Sequence, residues 1–231
     1  MEPKTLNISS TVSLEDIPHL WEQNDTLILV ININDYGTLS YDHLDNIEKE
    51  HLENLQTGYF RKRYNISRMV LKCILCVLLE KQSTFDVSIY KDKYGRLHVP
   101  DHDEFNICIS YTGDVFFLAI SKIKVGIDAE KWKHTSLRNV SKYMQIKKLC
   151  ADGCATDLMC LTSWTLKEAY CKFSNQSIFS YLNKAPDIDN ICHSSYFINN
   201  KYILTVVTGS VRYKINISFF EKYSHSKIIF E

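Results

Sequence analysis

The sequence is poor in the residues that cradle nucleotides. Only seven glycines and four prolines occur among its 231 residues. They form neither a Gly-x-Gly-x-x-Gly dinucleotide fingerprint nor a phosphate-cradling P-loop, so a phosphate-bearing ligand must be held by side-chain cations or a metal. A Gly-x-Ser-x-Gly elbow is missing, and no cysteine–histidine pairing points to acyl transfer through a protein nucleophile. Net charge is missing as well: 27 Lys and Arg balance 27 Asp and Glu. That excludes a general affinity for polyanions, and no basic, aromatic-interleaved groove for nucleic acid is visible. The longest apolar run is too short to span a bilayer, and MEPKTLNISS has neither the basic start nor the apolar core of a secretory signal. The expectation is a cytoplasmic protein that binds no nucleic acid and no membrane.

Cysteine is the exception to this scarcity, with eight residues. Cys73 and Cys76 lie in the apolar run CILCVLL, where free cysteine behaves as a small hydrophobe. Cys150, Cys154 and Cys160 come nearest to zinc-ligand spacing but lack a second ligand pair, so zinc is disfavoured. Reduced thiols are expected throughout.

With 45% hydrophobic residues the chain can build a sizeable core, as one large domain or two small ones. SLEDIPHLWEQ suggests a short helix that tolerates Pro18 only in its first turn. TLILVININ (26–34) reads as the first core strand. Ser40 is expected to cap a helix running to about Leu55, with Asp42 in its first turn. RKRYNISRMVLKCILCVLLEK reads as a helix, basic at its start and buried from Ile66 onward. Strands are expected near Thr84–Tyr90, Phe105–Tyr111 and Val115–Ser121, the last two joined by a turn at Thr112-Gly113-Asp114. After Lys124 come a strand, a helix at Ser136–Leu149, a loop CADGCATD and a further helix. SYFINN, KYILTVVTG and RYKINISFF close the chain as strands of a mainly antiparallel sheet. Strands and helices do not alternate regularly, which favours α+β over doubly wound α/β.

The chemistry concentrates between Val125 and Phe173. In VGIDAEKW, Val125, Ile127 and Ala129 alternate with Gly126, Asp128 and Glu130, so a strand would point both acids the same way. Gly126 adds no bulk to that face, and a ligand or another backbone can approach closely there. In LTSWTLKEAYCKF, Leu161, Trp164, Glu168 and Cys171 recur at helical spacing, and Glu168 and Lys172 share a face. If the helix crosses the strand, three carboxylates meet beside a lysine. Oxygen ligands of this kind suit Mg²⁺, which takes its remaining coordination from water and from substrate phosphates. Taken singly, Asp128 and Glu130 also fit the solvated face of an edge strand. Glu168 with Lys172 fits a surface pair of about 0.3–0.5 kcal/mol, and Trp164 and Tyr170 fit half-buried core aromatics.

VGIDAEKW followed by WTLKEAYCK resembles the signature pair of the 4′-phosphopantetheinyl transferases of the larger, monomeric Sfp type. The resemblance continues upstream through KYGRLHVPDHDEFNICISYTGDVFFLAIS and, more faintly, RYNISRMVLK. It implies two similar α/β lobes related by a pseudo-two-fold axis, an N-terminal lobe over 1–122 and a C-terminal lobe over 123–231. It implies Mg²⁺-dependent transfer of the 4′-phosphopantetheine arm of coenzyme A to a serine of an acyl or peptidyl carrier protein, with release of adenosine 3′,5′-bisphosphate. Asp128, Glu130 and Glu168 would then hold the metal. Glu168 or a metal-bound water would take the serine proton, and Lys172 would stabilise the charge on the pyrophosphate or protonate the leaving group, with Lys167 a weaker candidate. Arg63 would meet the 3′-phosphate, and Arg61, Lys62 and Arg68 are less certain neighbours. Gly95 and Arg96 would lie at the adenine. Ser110, Tyr111, Thr112 and Asp128 complete the coenzyme A contacts. The family's phosphate-binding histidine is Tyr111 here, which can donate a hydrogen bond but brings no positive charge. That departure keeps a non-catalytic coenzyme A-binding module open. A Mg²⁺-dependent phosphodiesterase would use the same carboxylates with water as nucleophile.

Overall fold

A computed structural model of the chain describes residues 2–132, 157–181, 191–209 and 212–221. The described elements make an α+β protein. β1 (Lys4–Leu6) and β2 (Thr11–Val12) precede a 3-10 turn (Leu14–Asp16) that runs into α1 (Ile17–Gln23). Pro18 falls in the first turn of α1, where its missing N–H deprives no helical bond. β3 (Thr26–Asn32), α2 (Asn46–Glu53) and α3 (Gly58–Leu78) follow. β4 (Tyr90–Lys91), β5 (Leu97–His98), β6 (Asn106–Thr112), β7 (Val115–Ser121) and β8 (Val125–Lys131) complete the first part of the chain. α4 (Asp157–Ser174), α5 (Ile178–Tyr181), β9 (Cys192–Ile198), β10 (Tyr202–Thr208) and β11 (Ile215–Phe220) form the second. Among the described residues, no helix is long and apolar enough to cross a membrane.

The strands form a seven-stranded sheet, ordered β2-β11-β3-β7-β6-β5-β4, and a four-stranded sheet, ordered β1-β9-β10-β8. Ile28, Val30, Phe117 and Ala119 of the larger sheet pack against Ile127, Ala129, Leu204 and Val206 of the smaller one. α3 covers the other face of the larger sheet, and α4 lies on β8 and β10. β3 is apolar on both faces because it is sandwiched, and its residues from Thr26 to Ile31 are all buried. The chain exchanges its ends between the sheets. β1 pairs with β9 in the smaller sheet, and β11 pairs with β3 and β2 in the larger, all three pairings being parallel. The closing strands therefore do not make one mainly antiparallel sheet: β9 and β10 are antiparallel partners, while β11 joins the other sheet.

Two further expectations need correction. The helix expected from Ser40 starts at Asn46, because Asp45 and Glu48 form the capping box and Ser40 only hydrogen-bonds to Asp42. The strand expected over Thr84–Tyr90 is a 3-10 turn at Thr84–Asp86, with Ser83 accepting from the Phe85 N–H, and pairing begins only at Tyr90. The helix expected at Ser136–Leu149 and the following loop lie outside the described residues.

α3 is buried at every position from Asn65 to Cys76, including Arg68 and Lys72. These cations are accommodated because Glu48 of α2 meets both, at 2.7 Å from Lys72 Nζ and 3.5 Å from Arg68 Nε. Lys72 also donates to the His43 carbonyl at 2.8 Å.

Gly126 decides how closely α4 can approach β8. A Cβ there would lie 2.2 Å from the Ala169 carbonyl oxygen and 2.4 Å from the Phe173 nitrogen, both backbone atoms with no slack. Gly126→Ala is expected to lower stability in urea unfolding by about 2–3 kcal/mol through overpacking. Gly37→Ala, at a position with nothing within 4 Å, should stay within about 0.5 kcal/mol. Equal effects of the two substitutions would contradict the close approach.

Candidate active site

β8 is an edge strand, and the larger sheet satisfies its free edge with side chains. Cys108 Sγ accepts from Ile127 N at 3.3 Å, Ser110 Oγ from Ala129 N at 3.0 Å, and Thr112 Oγ1 from Lys131 N at 2.7 Å. Alternate residues of β6 thus reach alternate N–H groups of β8, and two sheets are joined without a backbone ladder. The same hydroxyls orient the acids. Ser110 donates to Asp128 Oδ1 at 2.8 Å, and Thr112 lies 3.4 Å from Glu130 Oε2.

α4 brings Glu168 and Lys172 onto the Asp128 side of β8. Lys172 Nζ donates to Asp128 Oδ1 at 2.8 Å. Asp128 is 2% exposed, and its carboxylate hydrogen-bonds to that of Glu168, which requires a proton between the two. Desolvation, and next the charge of Asp128, push the Glu168 carboxyl up to about 8 against the partial relief of Lys172. Glu130 is raised by the same two causes, although Thr112 and Trp164 hydrogen-bond to it and oppose the shift. Burial is the largest single influence on Lys172 and works to neutralise it, but the charge and hydrogen bond of Asp128, with Cys108 and Glu168, together outweigh it and keep the ammonium charged beyond its usual range.

The described geometry thus brings together Asp128, Glu130, Glu168 and Lys172. A divalent cation fits their chemistry: it would take the place of the proton that burial and Asp128 keep on Glu168. Among the described residues, no three acidic, His or Cys side chains enclose an ion by themselves. A Mg²⁺ ion would complete its shell with water or phosphate oxygens, as it commonly does.

On the other side of Lys172 opens a cavity of about 270 Å³, walled by α3, the 91–97 loop, β6 and the end of α4. Arg68, Lys91, Arg96 and Lys172 line it, and among the described residues no carboxylate does. Tyr64, Tyr94 and Tyr111 supply flat walls. Arg68 is 5% exposed, and its Nη1 is buried without a partner. Desolvation and the neighbouring charge of Arg68 pull the Lys91 ammonium below its usual pKa.

Of the remaining sequence candidates, Gly95 lines this cavity at φ +96°, where glycine is favoured. Arg96 lines it too, but Nη2 is committed to the carbonyls of Lys172 and Phe173, at 2.8 and 2.7 Å. Tyr111 is in the wall with its hydroxyl given to Ser67 Oγ at 2.7 Å. Arg63 lies outside the wall, its guanidinium 4.3 Å from the Tyr111 ring centroid. Lys167 is buried, with its pKa lowered by desolvation, and does not line the cavity. Sequence reasoning missed Lys91 and left Arg68 among lesser neighbours. Only the position of Lys91 beside the YGR loop hinted at its place. No family model matches the chain, and no curated protein does.

The raised Glu168 carboxyl fixes a sign for pH dependence. The folded chain keeps a proton on Glu168 up to about pH 8, whereas an unfolded glutamate loses it near 4.5. Its contribution is therefore complete below pH 4.5 and declines as pH rises towards 8. Glu168→Gln should flatten that decline, gaining stability over the parent chain at pH 8 in urea unfolding and little at pH 5. A parallel pH curve for the two proteins would contradict the raised value.

Proposed function

We propose that the chain transfers the 4′-phosphopantetheine arm of coenzyme A to a serine hydroxyl of an acyl or peptidyl carrier protein. The observation that carries this reading is the place of Lys172, which binds Asp128 on one side and walls the cation-rich cavity on the other. A pyrophosphate bridging the two would put its scissile bond beside the acids and its charge against the cations. This is the arrangement phosphoryl-type transfer needs, since such catalysis is mostly positioning and charge neutralisation.

Asp128, Glu130 and Glu168 would hold Mg²⁺, which when bound supplies charge neutralisation at the phosphate oxygens. Arg68, Lys91 and Arg96 offer further cations to a polyphosphate ligand, and the tyrosine walls suit its aromatic base. Glu168 must give up its proton as the site is loaded, and its carboxylate then takes the proton of the carrier serine. The serine Oγ–phosphorus bond forms as the pyrophosphate P–O bond breaks. Lys172 Nζ stabilises the charge left on the departing adenosine 3′,5′-bisphosphate. The reading extends to a two-lobed, pseudo-symmetric fold, with α3 on one sheet and α4 on the other, acting as a cytoplasmic monomer.

A second reading, a coenzyme A-binding module without turnover, draws on Tyr111. Its hydroxyl is given to Ser67, so the position that holds a histidine in the resembled family offers no charge to a phosphate.

Incubated with coenzyme A, Mg²⁺ and an apo carrier protein, the chain should raise the carrier's mass by one phosphopantetheine arm. EDTA should abolish the gain, and Glu168→Gln should slow it by about 10²–10⁴-fold. Tight coenzyme A binding with no gain on several unrelated carriers would decide for the binding module.

A further inference from the structure

We infer that Asp92, which lies outside the cavity wall, is the positioning residue that fixes Lys172, acting through Arg96 and the last turn of α4. The inference rests on the transfer reading above.

Asp92 opens a tight turn: its N–H donates to the Arg96 carbonyl at 2.9 Å, and its own carbonyl accepts from Gly95 N at 3.0 Å. Its carboxylate then takes four donors. Oδ1 accepts from Tyr94 N at 2.9 Å and Arg96 N at 3.0 Å, while Oδ2 accepts from Asn175 Nδ2 at 2.8 Å and stands 3.2 Å from His98 Nε2. One oxygen therefore shapes the turn and the other grips a residue 83 positions away. Burial opposes the charge, but these donors hold the carboxyl far below its usual range, so the grip persists at any working pH.

The partner element ends on a Schellman cap. Asn175 is left-handed at φ 57°, Gln176 N donates to the Cys171 carbonyl at 2.9 Å, and Asn175 N to the Lys172 carbonyl at 3.3 Å. Arg96 Nη2 adds a second donor to the Lys172 carbonyl and one to Phe173, satisfying groups a helix end leaves open. The backbone of Lys172 is thus held from the turn while its ammonium is held by Asp128. Arg96 and Gly95 belong to the cavity wall, so the clasp makes the wall and Lys172 one rigid unit.

The test uses the full chain with Asp92→Asn, which removes one acceptor oxygen. Asn175→Gly keeps the left-handed cap but removes the side-chain donor. Both variants should melt within a few degrees of the parent. With coenzyme A and an apo carrier, each should lower kcat about tenfold and leave KM for coenzyme A within about twofold, since displacement of a charge-stabilising group costs rate more than binding. The double variant should be no worse than either single one. Independently of turnover, the ¹⁵N ammonium signal of Lys172, sharp while held by Asp128, should broaden in both variants. An unchanged signal, a KM rise with kcat intact, or losses that multiply in the double variant would overturn the inference. A parent chain that transfers nothing while its variants still broaden the signal would sink the transfer reading and leave Asp92 as the group that positions Lys172.

Discussion

A carboxylate buried beside two further acids, with one ammonium to offset them, governs the rest of this structure. Asp128 spends Oδ1 on Ser110 and Lys172, and its carboxylate also hydrogen-bonds to Glu168, a contact that needs a proton between the two acids. An arrangement of that kind is costly unless charge compensates it, because buried carboxylates lose their water and repel one another. The neighbouring elements are arranged to supply that compensation. Gly126 lets α4 come close enough for Lys172 to reach, and β6 reaches across the gap between sheets to steer the acids. Glu168 keeps its proton because a third negative charge there would be unsupported.

From that constraint follows a division of charge. Acids gather on one side of Lys172, cations on the other, and the lysine belongs to both. The chain as a whole is neutral, so this polarity is built locally, by α3, the 91–97 loop and the end of α4. Buried Glu48 shows how far the fold goes to keep it. It neutralises Lys72 and approaches Arg68 Nε, while the far nitrogen, Arg68 Nη1, stays unpaired.

The acid group was legible in the sequence because period two in VGIDAE and period 3.6 in LTSWTLKEAYCKF each select a face, and Gly126 announced a close approach on one of them. The strand at 115–121 and the buried stretch of α3 were legible as continuous apolar runs, which mark elements covered on all sides. Less could be read where a local signal competes with a better one nearby. Ser40 has the chemistry of a cap, but Asp45 with Glu48 closes the box. The valine and isoleucine of 84–90 suggest a strand, but Ser83 turns the backbone first. What could not be read at all depends on distant partners. Nothing in YKDKYGR shows that Arg96 will cap a helix 76 residues away, or that Ser110 and Thr112 will serve the edge of another sheet. The exchange of β1 and β11 between sheets is likewise a matter of long-range pairing.

Under the transfer reading, Asp128, Glu130 and Glu168 would hold Mg²⁺ where Glu168 otherwise keeps a proton. Calorimetric titration of the chain with coenzyme A and Mg²⁺ at pH 7, in buffers of differing ionisation enthalpy, counts the protons exchanged on binding. About one proton per chain should be released when both are present, and that release should be lost in Glu168→Gln. Equal proton release from the two proteins, or coenzyme A binding indifferent to Mg²⁺, would contradict that reading.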